Sequence, residues 1–93
     1  MRLKPNEINY IKKTVLSYDS KAKIYLFGSR VDDHLQGGDI DLLVLTTKLS
    51  LDDKLAIKLK LYDYLGEQKI DLVLANDTTQ PFVRGAIAEG IEL

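Results

Sequence analysis

Apolar positions along the chain recur with two different periods. Behind Pro5-Asn6-Glu7, the residues Ile8, Ile11, Val15 and Leu16 share one helical face, and Asp19-Ser20 closes the pattern. Lys23 to Phe27 reads as a short strand ended by Gly28. The chain is then polar as far as Gly37-Gly38, a turn signal, and the first half of this stretch has room for a helical turn. Ile40 to Leu45 is an unbroken apolar run rich in branched residues, which suits a buried central strand. Ser50 caps a long helix, with Asp53 three residues on, where a capping box carries Glu or Gln. Leu51, Leu55, Leu59 and Tyr62 mark its expected inner face, and Gly66 is a C-terminal stop. Lys69 to Ala75 predicts a third strand, and Pro81 starts a last helix carrying Phe82, Ile87 and Ile91. The order α-β-(turn or α)-β-α-β-α predicts an α/β (α+β) fold, one small mixed sheet with helices packed on it.

The long helix has more apolar residues than one small sheet can cover. Ala56, Ile57, Leu61, Tyr64 and Leu65 join the four already named and run nearly all the way round it. A leftover apolar strip of this kind marks an expected contact surface.

Length and composition narrow the classes. The 93 residues predict a single domain, 1–93. Thirteen basic against fourteen acidic residues leave a net charge of −1, so no direct binding to nucleic acid is expected. With no cysteine, disulfides and thiolate metal sites are excluded. The start, MRLKPNEINY, has no apolar run behind it, and nothing approaches the roughly 18 apolar residues of a membrane span. A cytoplasmic location is expected.

The candidate chemistry lies in LFGSRVDDHLQGGDIDLLV, residues 26–44. Side chains alternate along a strand, so Asp39 and Asp41 point to one side, together with Leu43 and Leu45. Neighbouring ionised carboxylates at a partly buried site repel and lose hydration. A divalent cation removes both problems, because hard cations take carboxylate oxygens. Asp71 sits in a similar setting, Lys69-Ile70-Asp71-Leu72-Val73, and would join the pair if its strand lies alongside. Three such carboxylates can hold two Mg²⁺ ions about 4 Å apart for in-line phosphoryl or nucleotidyl transfer. Gly28-Ser29 follows a strand, and there glycine lets a phosphate approach the backbone while Ser29 adds a donor. By itself Gly28-Ser29 reads more simply as a turn; the Asp pair eleven residues further on gives it weight. Arg30 is placed either to touch a phosphate or to stand in solvent. His34, in the polar loop, reads as a surface residue.

These residues resemble the signature of the DNA polymerase beta-like nucleotidyltransferases: an apolar residue, Gly-Ser, about ten residues, then Asp-x-Asp in an apolar strand. The chain is most similar to the minimal nucleotidyltransferases, which commonly act as antitoxins beside a helical HEPN-type partner. The resemblance implies that Gly28 and Ser29 bind the triphosphate, with Arg30 kept beside them as a nucleotide-binding candidate on its own chemistry. It implies that Asp39 and Asp41 bind Mg²⁺, and that Asp71 completes the cluster and helps to activate the acceptor hydroxyl. The implied reaction moves AMP from ATP to a hydroxyl and releases pyrophosphate. In the antitoxin branch the acceptor is a tyrosine of the partner toxin. The nine-residue spacer between Ser29 and Asp39 is at the short end for the family, Val31-Asp32-Asp33 replaces a common small-basic-Gly triplet, and Gly38 stands where serine is frequent. The alternative is a silent antitoxin that neutralises its partner by contact, for which three clustered carboxylates have no use. A metal-dependent nuclease would leave Gly28-Ser29 unexplained, and an Asp-x-Asp glycosyltransferase normally needs a much longer chain.

Overall fold

The computed structural model describes residues 3–28, 40–66 and 69–93. In chain order the elements are α1 (Pro5–Tyr18), β1 (Lys23–Phe27), β2 (Ile40–Leu45), α2 (Leu51–Leu65), β3 (Ile70–Ala75), α3 (Pro81–Glu89) and β4 (Ile91–Glu92). The strands form one sheet in the order β3-β2-β1-β4. Strand β1 pairs antiparallel with β2 and with β4, while β2 and β3 run parallel. The expected small mixed sheet with packed helices is therefore the observed one. The polar stretch 29–39, with its candidate helical turn, lies outside the described residues. Among those described, no helix is long and apolar enough to cross a membrane.

Alternation along the strands divides the core in two. Ile24, Leu26, Ile40, Leu42, Val44, Ile70 and Leu72 face α1 and α2, where they meet Ile11, Val15, Ile57, Leu61 and Leu65. Tyr25 and Leu43 face the other way, against Val83 and Ala86 of α3. Strand β2 is apolar nearly throughout because both its faces are covered. Asp41 is its exception.

Helix α2 starts as the sequence predicts. The Ser50 hydroxyl accepts from the Asp53 N–H at 3.3 Å, and the Asp53 carboxylate accepts from the Ser50 N–H at 3.0 Å, a capping box closed by Asp. Its orientation is not the expected one. Ile57, Leu61 and Leu65 are buried, whereas Leu51, Leu55 and Leu59 are 79%, 59% and 61% exposed. Both rows have i, i+4, i+8 spacing, so periodicity alone does not choose between them. The short connection to β3 does. It holds the C-terminal half of α2 on the sheet, and the Tyr62 hydroxyl fixes it there by exchanging two 3.3 Å hydrogen bonds with the N–H and carbonyl of Ile70.

A second departure is at the C-terminal end. Ile91, expected on the last helix, lies in β4 and pairs with Leu26. Gly90 makes the change of direction possible: a Cβ there would run into the Ala86 carbonyl and stand 2.7 Å from that of Leu26. Phe82 lies on this helix as expected; it is 55% exposed, and Val83 and Ala86 are the helix's buried residues.

Thr46 ties the far end of the sheet together. Its N–H donates to the Ala75 carbonyl at 2.8 Å, its hydroxyl donates to the Asp19 carboxylate, and its oxygen accepts from the Lys48 N–H at 3.1 Å. The Thr46 hydroxyl, helped by the Lys21 N–H at 3.0 Å, holds the Asp19 carboxyl below its ordinary value of 3.8. A depressed pKa contributes stability that is complete above that ordinary value and is lost as pH falls through the folded-state value. Thr46→Val should therefore melt at a lower temperature than the parent at pH 7, with the gap closing below pH 3.8. Thermal melts across pH 2–7 check this; a gap that does not change with pH would dissociate Thr46 from Asp19.

Candidate active site

Strands β2 and β3 carry the same triplet, Ile40-Asp41-Leu42 and Ile70-Asp71-Leu72, and the parallel register aligns the two residue by residue. Asp41 is thus the cross-strand partner of Asp71, and neighbouring strands lie about 4.8 Å apart. Their flanking isoleucines and leucines point into the main core, so both aspartates point to the α3 face. Both are half-buried. Like charges placed directly opposite one another on a sheet destabilise it.

Strand β1 supplies a third wall. Phe27 is the antiparallel partner of Asp41, and Gly28 follows it with φ +76°. In this left-handed region a side chain is strained, and glycine is the usual occupant. Space forbids a side chain as well. A Cβ on Gly28 would collide with the Asp41 carboxylate oxygen and lie 3.1 Å from its Cγ. Glycine is therefore required twice over, by its backbone angle and by the carboxylate lying against it.

The structure brings together Gly28, Asp41 and Asp71. Asp39, Ser29 and Arg30, the other candidate site residues, and His34 lie outside the described residues. Among those described, no group of three or more Asp, Glu, His or Cys residues is placed to hold a metal ion. Two roomier clefts, of about 440 and 510 Å³, lie around Thr46 and Asn76, and the first extends along α3 as far as Phe82 and Val83. Asp77, on the rim of the first, accepts from the Thr79 hydroxyl at 2.8 Å and from its N–H at 3.1 Å, which lowers its pKa and shapes the turn into α3. It is a turn residue remote from the carboxylate pair.

Comparison with known proteins adds to this geometry. No curated protein matches the chain. Two crystal structures of mutants of a toxin–antitoxin pair, MntA-HpeT, are similar to it. One is 25% identical with a TM-score of 0.73, and the match covers 97% of this chain and 71% of the other. The second is 27% identical with a TM-score of 0.71, covering 98% and 71%. A family model described as polymerase beta, nucleotidyltransferase, matches residues 9–93. With that match spanning nearly the whole length, the chain belongs to the polymerase beta nucleotidyltransferase family.

Proposed function

We propose that this nucleotidyltransferase moves AMP from ATP to a tyrosine hydroxyl of a helical, HEPN-type toxin, and acts as the antitoxin of the pair. The observation that carries this reading is the alignment of Asp41 with Asp71 beside a glycine that admits no side chain. The donor set suits a hard divalent cation, since carboxylate oxygens are what Mg²⁺ prefers. Asp39, Asp41 and Asp71 would hold it, as two ions in the full assembly, while Gly28, Ser29 and Arg30 receive the triphosphate. Bound Mg²⁺ would neutralise charge on the phosphates and polarise the phosphorus under attack.

The chain's own residues do the rest. Gly28 lets the phosphates come close to the backbone, and Asp71 accepts the proton of the attacking hydroxyl. A P–O bond forms from that oxygen to the α-phosphorus as the bond to the β-phosphate bridging oxygen breaks, and pyrophosphate leaves in line. The similarity to MntA-HpeT supports a toxin partner. So does the exposed row Leu51, Leu55 and Leu59, an apolar strip of the sort that marks a protein contact.

Co-expression with a helical protein encoded nearby, followed by ATP labelling and mass spectrometry, tests the proposal. The expected result is a gain of one or more AMP units on a partner tyrosine, lost when Asp39 and Asp41 are both changed to Asn. Co-purification with no added mass would instead establish a silent antitoxin working by contact.

A further inference from the structure

A cleft of about 330 Å³ adjoins the carboxylate pair, lined by Phe27, Gly28, Phe82, Gly85, Ala86 and Glu89. It is continuous with the candidate site, because Gly28 forms part of its wall and also lies against Asp41. Phe27 is the register partner of Asp41 and shares its face of the sheet. Phe82 meets Phe27 edge to face, with ring centroids 5.7 Å apart and planes at 85°. More than half of Phe82 remains exposed, so folding leaves much of this ring without cover.

Gly85 gives a second, independent indication. It lies inside the nine-residue helix α3, where glycine costs about 1 kcal/mol relative to alanine. Neither its backbone angle nor crowding demands it: its φ is not positive, and among the described residues a Cβ there would meet nothing within 4 Å. What it does is keep the floor of the cleft open one turn beyond Phe82.

We infer that this cleft is the nucleobase subsite, in which the base of the nucleoside triphosphate stacks on Phe82 over the space left by Gly85. The inference rests on the transferase reading, since the phosphates at Gly28 are what bring a base to this wall. Pockets of this size, mainly apolar with few polar groups, are typical of small-ligand sites. An exposed aromatic ring offers the stacking surface that every base can use.

The test compares ATP with inorganic tripolyphosphate, both with Mg²⁺, by isothermal titration of the parent, Phe82→Ala and Gly85→Leu. Phe82→Ala should weaken ATP binding roughly tenfold or more, as loss of base–aromatic stacking does, and leave tripolyphosphate binding unchanged. Gly85→Leu should act in two directions, raising the melting temperature through better helix propensity while weakening ATP at least as much. A structural role for Gly85 would not produce that combination. If both variants bind ATP like the parent, or lose ATP and tripolyphosphate equally, the base subsite is overturned and the transferase reading stands. If the parent binds neither ligand, that reading fails and this inference fails with it.

Discussion

Asp41→Asn should abolish nucleotidyl transfer and leave the chain folded. The substitution keeps the shape that lies against Gly28 and removes one of two charges aligned across β2 and β3. In the metal-free protein these two residues hold opposed register positions at a half-buried site, where like charges weaken a sheet. Removing one charge should leave the metal-free melting temperature equal to the parent's or raise it. Activity should move the other way. Loss of an outer partner of a metal ligand already costs about 10–100-fold. For a ligand itself we expect a loss on the order of a thousandfold, about 4 kcal/mol of transition-state stabilisation. Added Mg²⁺ should raise the melting temperature of the parent and not of the variant, because only a folded state that binds the ion gains from it. Enzyme assay, and melts with and without Mg²⁺, check both halves. A variant that keeps a tenth of the parent activity would remove Asp41 from the metal site, and one that fails to fold would make it a structural residue.

The sequence marks each aspartate in its apolar strand more clearly than it marks which strand lies beside which. Alternation within an apolar run fixes which residues share a face, and Asp41 is the one charged position in the six-residue strand. Which strands are neighbours is a tertiary matter. The repeated Ile-Asp-Leu triplet permits alignment, but only the parallel crossover through α2 brings Asp71 beside Asp41. Ile91 was misread because Ile87 and Ile91 have helical spacing, and nothing local says that the backbone of Gly90 passes β1 at van der Waals range. Phe82 was placed on the right helix. Its exposure beside Phe27 depends on how α3 crosses the sheet, which periodicity does not encode. Thr46 gave no signal at all, since its partners Asp19 and Ala75 are distant in sequence and meet only when the sheet has formed.

The two apolar rows of α2 should respond to substitution in opposite ways. A chain of this size is stable by roughly 5–14 kcal/mol. Leu61 is fully buried between α1 and the sheet, so Leu61→Ala removes a side chain from a packed core and leaves a cavity, at a cost of about 2–5 kcal/mol. That is a large share of the total, and denaturant melts should show it as a midpoint far below the parent's. Leu59, two residues away, is 61% exposed, and Leu59→Asp should change stability by no more than about 0.5 kcal/mol. Its effect should appear on the partner. If Leu51, Leu55 and Leu59 form the centre of the toxin contact, a carboxylate placed among them is buried without a counter-charge when the complex forms. The loss of a hot-spot residue at the centre of an interface costs about 2 kcal/mol or more, so affinity should fall roughly thirtyfold or further. Leu61→Ala, wherever it remains folded, should bind the partner nearly as the parent does, since it lies on the opposite side of the helix. Titration of each purified variant with the toxin separates the outcomes. Unfolding by Leu59→Asp would mean that this row is packed within the chain, and unchanged toxin binding would move the contact to another face.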